Sequence, residues 1–376
     1  MSEFAAGPAG RIERVRALMA ERGYDAIVVR DEANLRWLTG VKGVFDYTFE
    51  FPHAAFITAD QCLFHTDSRY LNSFEENTSA GSPWVYDMDE GTIPGWVAGK
   101  IAANKCRVCA VEDDMQISFY QGIQRGLEDR SVACMLPLMH DDIRKMRAIK
   151  DAEEIELMRH AQSITDAAFQ HMLGYIKPGM TEKQVRNELE NFMFANGADS
   201  LAFGSIVASG PNTANPHAVP SDRVIEKGDF VLMDYGAGYC DYRSDMTRTV
   251  VMGEPTQEQL DLYALVRRAH EECVAAIHPG VEGNDIFKLS KKIIGDAGYG
   301  DYYNHGLGHG VGIDIHELPN FNRSKNIIEV GSVITMEPGV YLPGVGGVRL
   351  EDYGVVTENG YEPFTKTPHD LHVIDC

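Results

Sequence analysis

The sequence predicts a two-domain α/β protein: residues 1–135 alternate helices with strands, and residues 136–376 form a larger α+β part in which two helices followed by strands occur twice. Three observations predict this. The 376 residues exceed one small core and fit domains of roughly 100 to 200 residues each. Hydrophobic residues at 44% and charged ones at 24% match ordinary globular composition rather than disorder. The apolar pattern also changes along the chain from helical spacing to short strand-like runs.

An amphipathic helix opens the chain, with Ile12, Val15, Leu18 and Met19 on one face and Gly23 as its stop, before the strand-like run Ala26 to Val29. Ala54 to Ile57 and Cys62 to Thr66 flank Ala59-Asp60-Gln61 as a hairpin would, and Val108 to Val111 reads as a further buried strand. The domain boundary falls near Pro137. Beyond it Ile143 to Ile149 is basic, and Asp151 with Glu154 has the spacing of a reciprocal helix cap. The helix that follows carries Ile155, Met158, Ala161 and Ile164 on one face and breaks at Lys177-Pro178-Gly179; Thr181 and Gln184 then cap the next.

From Phe203 to Val250 the pattern turns to short apolar segments separated by Gly and Asp, including Ile206 to Ala208 and Phe230 to Met233. Leu262, Val266, Ala269, Cys273 and Ile277 then recur at helical spacing, as do Ile286, Leu289 and Ile293 after Asn284. Strands resume to the C-terminus. The order of element types is twofold, without a sequence repeat to support a duplication.

Charge narrows the function. Thirty-four Lys and Arg against 56 Asp and Glu give 34 − 56 = −22, a surface that repels phosphate backbones and anionic headgroups, so neither nucleic acid nor membrane is an expected partner. No apolar run reaches the roughly 18 to 20 residues of a membrane span, and Met1 to Gly10 lacks the basic and apolar segments of a secretion signal. A cytoplasmic location is expected. Seven cysteines in a chain this long read as free buried thiols. Cys106 and Cys109 have CxxC spacing but no second pair to complete a zinc site.

Four segments carry chemistry. In Val231-Leu232-Met233-Asp234-Tyr235-Gly236-Ala237 a carboxylate follows an apolar run, where a lone buried Asp is costly. A turn through Gly238 to Asp241 could return the chain through Ser244-Asp245-Met246-Thr247-Arg248-Thr249 and set two carboxylates side by side, which calls for a cation. Each Asp alone reads equally well as a strand-end residue paired with Arg243 or Arg248.

The second segment is His305-Gly306-Leu307-Gly308-His309-Gly310-Val311-Gly312, ending in Ile315-His316-Glu317. Its alternating glycines argue against the helical two-histidine zinc pattern and do not fit a dinucleotide loop. In an extended strand His305 and His309 would share a face, with the glycines leaving room for close approach. The third and fourth segments place Glu337 and Glu351 after the apolar runs Val333 to Thr335 and Val345 to Leu350. Four buried acids and one histidine would form a binuclear site of hard oxygen donors plus an imidazole, suited to Mn(II) or a similar first-row ion.

In this order and with these flanks, Asp234, Asp245, His309, Glu337 and Glu351 resemble the M24 metallopeptidases of pita-bread fold, which include methionine aminopeptidase, aminopeptidase P and prolidase. The resemblance runs from about Leu136 through Thr367. The N-terminal part, with Asp67-Ser68-Arg69-Tyr70, resembles the creatinase-type domain of the prolidase and aminopeptidase P branches. It implies a creatinase-like domain over 1–135 and a pita-bread catalytic domain over 136–376.

The resemblance further implies that those five residues bind two divalent ions, with Mn(II) favoured over Co(II) or Zn(II). A water bridging the ions would attack the scissile carbonyl, and Glu337 would accept its proton and pass it to the leaving nitrogen. His217, His305 and His316 would donate to the substrate carbonyl or oxyanion and move protons. Arg349 and Tyr341 match positions near that network, with His217, His316 and Tyr341 touching substrate. The expected substrate is a short peptide with proline second, and the expected assembly a homodimer. His160, His171, His270 and His278 fall in expected helices and read as structural.

One departure stands out. Many prolidases carry an Arg just after the His-Glu-x-Pro string to grip the dipeptide carboxylate, whereas here the string runs on as Asn320-Phe321-Asn322-Arg323. Arg323 could serve from a shifted loop, which leaves prolidase-like and aminopeptidase P-like specificity open. Within the fold, the competing reading is a relative repurposed for a small nitrogen or sulfur compound. A non-catalytic binding module has no use for four buried acids, and no GxSxG elbow supports a serine hydrolase.

Overall fold

A computed structural model describes residues 7–41, 53–78, 81–88, 91–322 and 325–376, and its contacts divide the chain into Met1–Met146 and Arg147–Cys376. In the first unit the strand Ala26–Val29 is wholly buried. It pairs antiparallel with Ala54–Thr58 on one side and parallel with Cys109–Val111 on the other, inside a five-stranded sheet. The expected hairpin is present: Ala54–Thr58 pairs antiparallel with Cys62–His65, and Thr58 Oγ1 accepts from the Gln61 amide at 3.0 Å across the turn.

The first helix spans Gly7–Arg22 and buries Ile12, Val15 and Met19; it stops before Gly23, which takes a φ of 70°. Cys106 and Cys109 are buried in the same core as Trp96, Phe119 and Ile123. Burial pushes the Cys106 thiol up to about 11, away from the thiolate that a ligand or nucleophile requires. Cys106 precedes the strand rather than lying in it. Parallel bridges from Val108 to Met135 and from Val111 to Leu138 tie residues 135–138 to the first unit, so the division falls beyond the boundary expected at 135.

The second unit repeats helix pair and sheet, as expected. Its first helix, Ala152–Tyr175, carries the reciprocal cap of Asp151 and Glu154, and Thr181 and Gln184 cap Glu182–Ala195 in the same way. The helices pack Phe169, Met172, Val185 and Leu189 against Val231, Met233 and Val250 of a four-stranded sheet. The second pair, Gln257–Ala275 and Gly283–Asp296, precedes a five-stranded sheet; Cys273 and Ile286 pack against its Ile334 and Met336. His278 lies past the end of its helix, not within it, because Pro279 disfavours helical backbone in the residue before it. No helix among the described residues is long and apolar enough to cross a membrane.

Candidate active site

The first sheet delivers two carboxylates. In the fully buried strand Phe230–Tyr235, Asp234 lies opposite Ile206 on one neighbour and opposite Thr247 on the other. Directly opposed residues share a face and alternate residues return to it, so Asp234, Thr247 and Asp245 look the same way. The chain between them forms two further short strands, Ala237–Tyr239 and Tyr242–Arg243. The turn is narrower than expected, made by Cys240 and Asp241 at φ of 49° and 71°.

The second sheet delivers the remaining donors. His309 is central in the strand Gly308–Gly310, and the alternating glycines flanking it serve backbone approach. A Cβ on Gly308 would collide with the Thr335 carbonyl, and one on Gly310 with the Leu318 carbonyl. His305 precedes this strand instead of sharing it, since the strand is only three residues long, yet it still reaches the same cavity. Met336 pairs with Asp352, which sets Glu337 and Glu351 side by side where the two strands end.

Asp234, Asp245, His309, Glu337 and Glu351 all line one cavity of about 690 Å³. His309 Nε2 lies 3.4 Å from Glu337 Oε1 and 3.7 Å from Asp245 Oδ2. Donor atoms of Asp245, His309 and Glu351 lie within 4.8 Å of one another. Burial, then the surrounding carboxylates, pushes both Asp245 and Glu351 well above the usual range. Burial likewise raises Glu337 to about 7 and lowers His309 to about 4.

Among the described residues, Arg349 is the guanidinium paired within this four-carboxylate cluster. Arg349 Nη2 donates to Asp234 Oδ2 at 2.5 Å, while Asp234 Oδ1 is buried without a hydrogen-bond partner. Buried like charges with an orphaned oxygen and a neutral imidazole are a donor set that divalent cations satisfy.

Around this cluster the expected histidines occupy distinct places. His217, His305 and His316 line the cavity. His217 is exposed on its loop, and the His316 ring meets that of His309 edge-on at 4.3 Å. Tyr341 is not among the lining residues. Its hydroxyl accepts from Arg349 Nη1 at 2.9 Å and bonds His305 Nε2 at 2.9 Å, so it orders those two side chains. A Cβ on Gly339 would strike that hydroxyl. Asn320 and Asn322 line the cavity, and Arg323 lies outside the described residues.

Several supporting residues had not been singled out. Thr247 Oγ1 donates to Glu351 Oε2 at 2.6 Å and accepts from Arg349 Nε at 3.0 Å. Thr335 Oγ1 accepts from the His309 amide at 3.0 Å. Glu317, beside His316, pairs with Arg147 at 2.5 Å and Lys150 at 3.0 Å, which overcomes burial and holds its carboxyl down at about 2. Thr247 sits inside a recognised string; Arg147 and Lys150 carry no local signal pointing to Glu317. Arg186 and Phe203 also reach the cavity.

Residues 156–358 match the model of metallopeptidase family M24, and residues 11–149 match the creatinase/prolidase N-terminal domain. The chain belongs to metallopeptidase family M24. Among relatives of this M24 protein, an Xaa-Pro dipeptidase of Pyrococcus horikoshii is 42% identical over 362 residues, covering 96% of this chain and 98% of the relative. The solved structure of an Xaa-Pro dipeptidase from Bacillus anthracis matches with a TM-score of 0.89 at 36% identity, covering 98% of this chain and 100% of that one. An X-Pro aminopeptidase from Thermotoga maritima matches with a TM-score of 0.85 at 31% identity, covering 97% and 100%. The creatinase-type domain followed by a pita-bread catalytic domain is therefore the architecture of this M24 chain.

Proposed function

We propose that this chain hydrolyses the bond between an N-terminal residue and a following proline in short peptides, using two divalent ions held by Asp234, Asp245, His309, Glu337 and Glu351. The carrying observation is that these five side chains, from two sheets, converge with His217, His305 and His316 on one cavity. The names of the relatives supply the substrate class. Mn(II) is the ion that four carboxylates and one imidazole suit best. When bound, such a pair of ions activates a water and polarises the scissile carbonyl.

The protein's own groups do the rest. Glu337 takes the proton of the attacking water and delivers it to the proline nitrogen, a tertiary amide nitrogen that departs only once protonated. His217 and His316 donate to the carbonyl oxygen as charge develops on it. Arg349 and Tyr341 hold Asp234 and His305 in place. Phe203, Ile206, Val219, Pro220 and Ile315 supply apolar wall for a pyrrolidine ring, and the cavity has the size of a di- or tripeptide site.

The test is product analysis of metal-stripped, Mn(II)-reloaded protein given equimolar Xaa-Pro dipeptide and Xaa-Pro-Yaa tripeptide. Cleavage of the dipeptide alone makes the enzyme prolidase-like, and of the tripeptide alone aminopeptidase P-like. Metal binding without cleavage of either overturns the peptidase reading in favour of a small-molecule substrate.

A further inference from the structure

On the far side of the strand that follows Glu351, a second cluster of ligand-type side chains has no part in the chemistry above. We propose that His270, Asp352 and His369 form a separate site for one zinc-like divalent ion. Ligand atoms of the three lie within 4.8 Å of one another. Asp352 Oδ2 is 2.6 Å from His369 Nε2 and 3.6 Å from His270 Nε2. The two rings meet edge-on at 4.7 Å.

An ordinary ion pair accounts for part of this cluster, because Arg248 and His369 together satisfy Asp352. It leaves His270 unexplained. That imidazole is 1% exposed, and neither ring nitrogen has a hydrogen-bond partner. A buried polar group without a partner is disfavoured, and His270 Nε2 faces a carboxylate oxygen with another imidazole beside it. Two imidazoles and a carboxylate are a recurrent set of protein ligands for Zn(II), with a fourth position left for water.

The surroundings of Asp352 fit the same reading. The Asp352 oxygen turned away from the histidines accepts from Arg248 Nη2 at 2.7 Å. His369 Nδ1, the nitrogen turned away from Asp352, faces Glu271 Oε1 at 3.7 Å. A hydrogen bond to the non-ligating atom is how metal-binding carboxylates and histidines are oriented, and Arg248 supplies it for Asp352. Donors around a tetrahedral ion at about 2.1 Å lie roughly 3.4 Å apart. The His270 to Asp352 separation of 3.6 Å is close to this value, and His369, 27% exposed, can open the shorter contact by a small side-chain rotation. Because Asp352 directly follows Glu351, an ion here would fix the start of the strand Asp352–Thr357 and steady Glu351 from behind.

The experiment is Zn(II) titration of metal-stripped full-length protein, followed by gel filtration and elemental analysis, on the wild type, His270→Ala and His369→Ala. Each variant is expected to retain one Zn(II) per chain fewer than the wild type, a difference independent of how many ions the cavity takes. His369 lies on a partly exposed terminal segment, so His369→Ala keeps the test valid should His270→Ala fail to fold. Equal retention by wild type and His369→Ala overturns the proposal and leaves the cluster a buried ion pair.

Discussion

Glu351 and Asp352 are adjacent in sequence and each only 2% exposed, yet they sit in opposite electrostatic surroundings. Asp352 faces Arg248 at 2.7 Å and His369 at 2.6 Å, which hold its carboxyl far below the usual range despite burial. Glu351 faces Glu337 and Asp234 with Arg349 as its counter-charge among the described residues, and burial with those neighbours pushes it well up. One strand thus separates a side where protein cations satisfy the carboxylate from a side where Arg349 is shared among several carboxylates. Burial alone does not mark the carboxylates of the cavity; burial without sufficient protein counter-charge does.

That contrast breaks most completely at Asp245, a member of the deficient side that is 4% exposed. Asp245→Asn is expected to abolish tight Mn(II) loading and with it turnover, measured by equilibrium dialysis and peptide hydrolysis; full activity would remove Asp245 from the ligand set. His217→Ala takes away a donor and no ligand, so metal content should hold while turnover falls about 10² to 10⁴-fold. Loss of metal in that variant would assign His217 a different role.

At Glu317, another carboxylate whose charge the protein satisfies, Glu317→Gln leaves Arg147 and Lys150 buried at 2% and 1% exposure without their main counter-ion. It should cost about 3 to 5 kcal/mol in urea unfolding. Because the folded pKa of Glu317 is depressed from 4.5 to about 2, its contribution is complete above 4.5 and is lost as pH falls toward 2. The difference between wild type and Glu317→Gln should shrink across that window. The smallest effect is expected from Thr247→Val, which removes a hydrogen bond to Glu351 and should weaken metal affinity about 10 to 100-fold with the fold intact.

Much of the site was legible because three of its four carboxylates follow an apolar run. Asp234, Glu337 and Glu351 stand at strand ends, where sequence alone says a charge enters the interior. The helix caps at Asp151 and Thr181 were legible for a similarly local reason, since both partners sit within one turn. What escaped was long-range or depended on short irregular backbone. Glu317 meets Lys150 across 167 positions, with no periodicity to announce it. His305 was expected in a strand that proves too short to include it, and Tyr341 was expected at the substrate when its hydroxyl is engaged by Arg349 and His305. His270 read as an ordinary core histidine because helical spacing shows that a residue is buried and says nothing of what its ring nitrogens face.

The most direct test of the charge-deficit account is Mn(II) binding to metal-stripped protein by equilibrium dialysis, in the His369→Ala background so that only the cavity contributes. About two ions per chain are expected, with both lost on adding Asp245→Asn. Failure to bind Mn(II), or binding that survives Asp245→Asn unchanged, would contradict the claim that these buried carboxylates await cations.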